Sequence, residues 1–466
     1  MRTKEILALG VPRGEPLEMA QLAVKLAAQE WGMKKGALRQ ALSHVLKDPA
    51  SHRDDELFGA LAEALIDLKR EQTRFVPRGE PAEYRKWGNE LEEGAVSQMD
   101  NACSLPVSVR GALMPDAHQG YGLPIGGVLA TDNAVIPYAV GMDIACRMKL
   151  SILDWPIVSL EKKRAQLIRA IENETRFGVG SSFRQRRQHP VMDRNWSETK
   201  MLRGLKDRAW AQLGTSGSGN HFVEFGTLSL NRDELGLEKG TYLALMSHSG
   251  SRGAGGEIAR HYSSLAMKQR RELPRELRHL AWFSLDSGEG QEYWLAMELM
   301  GRYAAANHEL IHRHVLSSLG AEVVAGVENH HNFAWKELHS GKQVVVHRKG
   351  ATPAFEGLLG VIPGSMATPG FVVRGKGERS SLCSASHGAG RRMSRKAAKR
   401  RYEWSDLKRV LNKKGVTLLS AGLDEVPMAY KDIGEVMKSQ QDLVEPIAEF
   451  LPKLVKMAPG GERPED

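Results

Sequence analysis

The sequence predicts an α+β protein in which a small helical module at the N-terminus precedes one large domain of mixed strands and helices. Up to about residue 75, apolar side chains recur at helical spacing. From about Asp100 the texture changes to short apolar runs separated by glycine-rich loops. A long helical pattern from Gln291 to Leu316 interrupts these runs without the regular alternation that βαβ units would require.

In chain order, the amphipathic segment Leu17–Trp31 comes first. "GALRQALSHVL" then places Leu38, Ala41, Leu42, Val45 and Leu46 on one face, and "DELFGALAEALIDLK" does the same with Leu57, Leu61, Leu65 and Leu68. Residues 1–75 are therefore read as a three-helix module. No polar residues converge in it, so its expected role is packing or interaction. "VPRGEP" occurs at Val11–Pro16 and again at Val76–Pro81, each time ahead of an expected helix opened by a proline. The strand-like runs "GYGLPIGGVLA", "AVIPYAV", "RMKLSI", "TYLALM" and "KQVVVH" follow, within an expected large mixed α and β domain over residues 96–466. The basic stretch Arg184–Pro190 reads as a solvated loop.

With 41% hydrophobic and 26% charged residues, the 466-residue chain can bury a large core. Its net charge of +9 favours polyanionic partners, nucleic acid first. Cys103, Cys146 and Cys383 lie far apart with no CxxC pair, which excludes a disulfide framework and a zinc ribbon and fits a reducing cytoplasm. The apolar run at the N-terminus is too short for a signal peptide, and no stretch approaches a membrane span.

Five pieces of the large domain concentrate histidine, cysteine or carboxylate, four of them beside glycine: "GMDIACRM", "GTSGSGNHFVEFG", "SHSGSRGAGG", "ENHHNFA" and "SASHGAGRR". Asp143 and Cys146, three residues apart, can reach one cation. His221, His248 and His331 can add neutral imidazoles, so the set reads as one or two metal ions. The thiolate favours zinc, whereas carboxylate and imidazole also suit manganese. "PGSM" at Pro363–Met366 and "HGAG" at His387–Gly390 have the character of backbone N–H nests that bind anions. A histidine among such donors and near a metal is placed to attack a phosphate. The basic string "RRMSRKAAKRR" that follows reads either as an RNA-contacting helix face or as a solvated surface.

"HELIH" at His308–His312 matches the helical HExxH pattern of zinc proteases, with Glu309 as base. Chance accounts for such a short pattern more readily than a protease does.

In this order, the strings "MPDAHQGYGLPIGG", "GMDIAC", "GSGNHFVE", "SHSGSRG", "HHNFA", "VHRKGATPAF", "PGSM", "SHGAGRRMSR" and "AYKDI" resemble the RtcB family of GTP-dependent RNA ligases. The resemblance covers about Asp100 to Lys431. It implies joining of RNA 2′,3′-cyclic phosphate or 3′-phosphate ends to 5′-hydroxyl ends with GTP and manganese, in RNA repair or tRNA splicing, through GMP held on His387. It also implies that Asp143, Cys146, His221, His248 and His331 hold manganese, two ions in all, which displaces the softness argument for zinc. Asn220, His221, Phe222, Val223 and Glu224 fall in the family's guanosine segment, with Glu224 on the guanine edge. His331, Asn332, Pro363, Gly364, Ser365 and Met366 fall in its other nucleotide-contacting segments, as do His387, Gly388, Ala389, Gly390 and Tyr430. Lys456 stands approximately where the family has a C-terminal lysine. An archease-type activator is a possible partner by the same resemblance.

The chain departs from the family at Arg147, where glycine is usual, at Gly370, where serine is frequent, and in its longer N-terminal module. Two alternatives follow, an enzyme that caps RNA ends by the same His387 chemistry and an RNA-binding paralogue without catalysis. Retention of the nucleophile and all five metal ligands speaks against the second.

Overall fold

The computed structural model describes residues 1–73 and 75–461, divided between two compact units, Met1–Val76 and Pro77–Asp466. In the first unit the helices Glu15–Gln29, Lys35–Lys47 and Gly59–Thr73 are joined by a short helix, Thr3–Leu7. The predicted stripes meet in one core, where Leu38, Leu42, Val45, Leu61 and Leu65 pack with Val24 and Phe58. The third helix starts at Gly59 instead of Asp55, because Asp55 Oδ1 accepts the amides of Leu57 and Phe58 at 2.9 Å each and holds that stretch as a turn.

The second "VPRGEP" opens no helix. Its amide at Arg78 donates to Ser104 O, Ala82 N donates to Cys103 O, and the chain enters the strand Tyr84–Lys86, parallel to Ser108–His118. The second unit therefore includes residues 77–95, which the sequence reading left outside both domains.

Two sheets organise this unit. The five-stranded sheet runs in the order Tyr84–Lys86, Ser108–His118, Ile125–Thr131, Lys342–Lys349, Phe333–His339. The eight-stranded sheet has a central antiparallel set of Val444–Met457, Phe222–Leu230, Gly240–Ser249, Arg147–Leu153 and Val323–His330. "RMKLSI", "TYLALM" and "KQVVVH" form strands as expected, but "AVIPYAV" forms only Ala134–Val135 before Pro137 starts a helical turn. The long helix spans Gly288–Leu319 and lays Tyr303, Leu310, Ile311 and Val315 into the core. The Arg184–Pro190 stretch is a loop, yet Arg187 is buried, its guanidinium bound to Gly214 O and Glu174 O and stacked 3.7 Å from Phe183. Among the described residues no helix is long and apolar enough to cross a membrane.

Candidate active site

Register explains why four sequence-distant ligands meet. Phe222 pairs with His248, and Arg147 pairs with both Ser249 and His330. Cys146 and His221 therefore sit just before their strands, His248 near the end of its strand and His331 just after its own, all at one end of the large sheet. Antiparallel neighbours bring the start of one strand beside the end of the next.

The donor atoms converge closely. Cys146 Sγ lies 3.3 Å from His221 Nε2 and 3.0 Å from His248 Nε2. His248 Nε2 lies 3.2 Å from His331 Nε2, and Asp143 Oδ2 lies 3.0 Å from His221 Nε2. Cys146, His221 and His248 form a cluster able to hold a metal ion, which Asp143 and His331 extend on either side. The five are buried. His248 Nδ1–H donates to Asn220 O at 3.2 Å, which leaves Nε2 as a lone-pair donor toward the cluster. Burial first, and then neighbouring imidazoles, hold His248 and His331 well below the usual histidine range, so both rings are neutral. Burial pushes the Asp143 carboxyl up, but hydrogen bonds from His221, Cys146 and the Ser251 amide outweigh it and keep the group below the ordinary carboxylate range. An ionised carboxylate, a cysteine sulfur and imidazole nitrogens converging on one point fit a divalent cation.

Backbone shape makes the convergence possible. A Cβ at Gly250 would stand 2.1 Å from Asp143 Oδ2, so only glycine admits the carboxylate there. Asn332 is left-handed, at φ 59, and ties three loops together: its Oδ1 accepts Gly350 N, its carbonyl accepts Ala145 N, and its Nδ2 donates to Asp143 O.

His387 stands beside this cluster, its ring centroid 5.0 Å from that of His331. Its Nδ1 is 2.7 Å from Oδ2 of the fully buried Asp116, which lies in the strand Ser108–His118 of the smaller sheet. With Nδ1–H donated to Asp116, the Nε2 lone pair is free to act as a nucleophile. Asp116 belongs to the quoted string "MPDAHQ", but no role for it was legible there, since its partner lies 271 residues away.

The two glycine-rich turns form one wall. Ala389 N donates to Pro363 O, and Gly390, at φ +71, packs so closely that a Cβ would meet Asp116 O at 2.2 Å. Ser365 N and Oγ both engage Thr368 Oγ1, and Met366 is buried against the following core. At Gly370 a serine Cβ would lie 3.3 Å from Pro363 Cα, pressing on this same turn. Glu224 is buried beside Phe222 and Val223; burial drives its carboxyl well above the ordinary range, and among the described residues no side-chain hydrogen-bond partner is found for it. Lys456 pairs with Val223 in the sheet, while Glu224 faces Val455. Side chains alternate along a strand, so the lysine points to the opposite face, where its ammonium lies 5.7 Å from the Phe177 ring.

The basic string proves to be divided in its roles. Arg391, Arg395 and Lys399 turn onto the buried pair Asp424 and Glu425, with Arg391 Nη1 3.1 Å from Glu425 Oε2 and Lys399 Nζ 3.5 Å from Asp424 Oδ1. Tyr430 joins them through its hydroxyl on Glu425. Lys396, Arg400 and Arg401 remain exposed on the short helix Arg395–Arg401. Arg147 is buried and ion-paired with Glu328, so it does not crowd the metal cluster. Arg252, left-handed at φ 58 and buried, spans the loops at Thr215 and Gly178, a role that its place in "SHSGSRG" does not signal.

"HELIH" lies on the long helix, but its histidines face serines. His308 Nδ1 is 2.7 Å from Ser247 Oγ, and His312 contacts Ser247 Oγ at 2.9 Å and Ser151 Oγ at 2.8 Å. Glu309 is exposed and pairs with His189 and Arg313. Glu309→Ala is therefore expected to leave nucleotide chemistry within about twofold of wild type and to shift stability by at most about 0.5 kcal/mol. Rate assays and thermal unfolding of the variant check both; a tenfold loss of rate would restore the glutamate as a base.

Comparison with known proteins agrees with this arrangement. Residues 98–203 and 192–457 match the family described as tRNA-splicing ligase RtcB. The RNA-splicing ligase RtcB of Escherichia coli K12 is 35% identical over 399 residues, covering 79% of this chain and 95% of that protein. The tRNA-splicing ligases RtcB of Nanoarchaeum equitans and Thermococcus kodakarensis are each 32% identical, over 426 and 421 residues, covering 76% and 74% of this chain and 88% and 87% of theirs. The motif order, the Cys/His cluster beside a carboxylate-held histidine, and these matches over most of the sequence place the chain in the RtcB family.

Proposed function

We propose that this protein is a GTP- and manganese-dependent RNA ligase that joins RNA ends bearing a 2′,3′-cyclic phosphate or 3′-phosphate to ends bearing a 5′-hydroxyl, in RNA repair or tRNA splicing in the cytoplasm. The observation that carries the reading is the His387 imidazole, held by Asp116 through Nδ1 and set against the Cys/His cluster. Nε2 attacks the α-phosphorus of GTP, the N–P bond forms, and the P–O bond to pyrophosphate breaks. Asp116 stabilises the imidazolium that develops. An oxygen of the RNA 3′-phosphate then attacks the GMP phosphorus and the N–P bond breaks. The 5′-hydroxyl oxygen finally attacks the 3′-phosphorus and GMP leaves. A cyclic phosphate is first opened by water.

Asp143, Cys146, His221, His248 and His331 would hold two manganese ions, which when bound supply positive charge to the phosphate oxygens. Glu224 meets the guanine edge: the N1–H and N2–H donors of guanine supply the hydrogen bonds that its ionised form lacks in a buried site. The turns Pro363–Met366 and His387–Gly390 and the Asn220–Glu224 segment line the nucleotide, with Asn332 and Tyr430 at its margins. The orientation of Lys456 gives it less support as a nucleotide contact. An archease-type protein is proposed as activator.

The test is incubation with α-labelled GTP and manganese, followed by denaturation. The expected adduct survives denaturation and alkali, is released by acid as a phosphoramidate, and maps to His387. No adduct with manganese, zinc or magnesium, with and without an archease, would overturn the reading.

A further inference from the structure

Beyond the nucleotide chemistry, one exposed aromatic side chain sits on a loop whose backbone is tied to the strand residue preceding Gly350, which abuts His387. Tyr121 is 67% exposed, although its loop is firmly held. Gln98 binds both the amide and the carbonyl of Gly120, at 3.0 and 2.7 Å, and Gln119 N donates to Glu92 at 2.9 Å. Gly122, at φ +70, packs so tightly that a Cβ would lie 2.8 Å from His279 O. His279 in turn stands edge-on to Tyr121 at 5.6 Å and to Tyr138 at 4.8 Å. The Tyr121 side chain is thus presented to solvent by a rigid frame.

Lys349 joins the Tyr121 loop to the backbone that abuts His387. Lys349 Nζ donates to Tyr121 O at 2.6 Å, and the next residue, Gly350, abuts His387: a Cβ there would be 3.2 Å from His387 Cε1. The short helix Arg275–Leu280 that carries His279 also exposes Arg275 and Arg278. An exposed aromatic side chain with cationic side chains on the element packed against it suits an unpaired nucleobase and its phosphates.

We propose that Tyr121, backed by His279, is the stacking platform for the terminal nucleobase of the RNA strand whose 3′-phosphate receives GMP from His387. The proposal rests on the ligase reading above and adds how that strand is recognised. Stacking is indifferent to base identity, so the platform admits any 3′ end that can unpair its last nucleotide.

A short RNA ending in 2-aminopurine 3′-phosphate reports stacking as fluorescence quenching and requires neither GTP nor catalysis. Wild type and Tyr121→Phe are expected to quench it, and Tyr121→Ala is not. In ligation, Tyr121→Ala should raise the KM for this strand about tenfold, and wild type acting on a terminal abasic 3′-phosphate should show the same rise, with no further rise when the two are combined. The exposure of Tyr121 makes its truncation mild for folding, which thermal unfolding verifies. Equal quenching by Tyr121→Ala, or Tyr121-dependent quenching of a 2-aminopurine on the 5′-hydroxyl strand instead, would overturn the platform. A protein labelled by GTP that quenches neither strand refutes the platform alone, whereas absence of label refutes the reading beneath it.

Discussion

His387→Ala is expected to abolish covalent labelling by GTP, and Asp116→Asn to lower its rate by about a thousandfold or more, with metal content unchanged in both. The first removes the nitrogen proposed to form the N–P bond. The second keeps the shape of the buried side chain while exchanging a carboxyl group for an amide. Asp116 Oδ2 receives Nδ1–H at 2.7 Å, so the carboxylate selects the tautomer with a free Nε2 and opposes the charge that appears on the ring during attack. An asparagine either donates to Nδ1, leaving the proton on Nε2, or accepts without offsetting the charge; an Asp-to-Asn exchange beneath a catalytic histidine costs about 10⁴ in rate in a comparable geometry. Metal content measured alongside single-turnover labelling separates the explanations, because Asp116 touches none of the cluster ligands in the contacts described above. Labelling of Asp116→Asn at wild-type rate would remove Asp116 from the chemistry and leave it a packing residue.

The contrast between the two residues shows what was readable in the linear sequence. His387, His221 and His248 each sit near glycines and a second polar residue, Cys146 follows Gly141 and Asp143, and His331 lies in the polar run "ENHHN", an unusual texture that marks loops built for chemistry. Asp116 is a single carboxylate within an apolar strand, and only the pairing of distant segments explains why burying it is tolerable. The same limit applies to the helices. Apolar spacing located the three N-terminal helices, but the Asx turn at Asp55, which delays the third, depends on a side-chain hydrogen bond that periodicity does not report. The repeated "VPRGEP" behaves differently in its two copies because the second is captured by Cys103 and Ser104 and drawn into a sheet. In "HELIH", the spacing put both histidines on one face as expected, but serines on the facing strands occupy their nitrogens. For Lys456, strand alternation turned the ammonium away from the face that carries Glu224.

Cys146→Ala is expected to weaken metal binding by about a hundredfold or more and, with it, to remove metal-dependent labelling. Cys146 Sγ is the atom shared by the two ends of the cluster, 3.3 Å from His221 and 3.0 Å from His248, so its loss leaves Asp143 with His221 on one side and His248 with His331 on the other. Loss of a residue that only orients a ligand already costs about 10–100-fold in affinity, and loss of the ligand itself exceeds that. The effect is measurable without activity. Manganese at a hundred times its Kd should stabilise wild type by about 2.7 kcal/mol, and the same concentration should leave Cys146→Ala nearly unshifted. The direction of the pH effect also follows: His248 and His331 are neutral at pH 7 and release no proton on binding, whereas the thiol must release one, so wild-type affinity rises with pH. In Cys146→Ala that contribution disappears. Calorimetry in buffers of different ionisation enthalpy reads the released proton directly, with zinc as well as manganese, since the thiolate favours the softer ion and the carboxylate admits the harder one. Equal metal affinity and proton release in wild type and Cys146→Ala would place the ion elsewhere, and the convergence of these five side chains would then be a polar core without a cation.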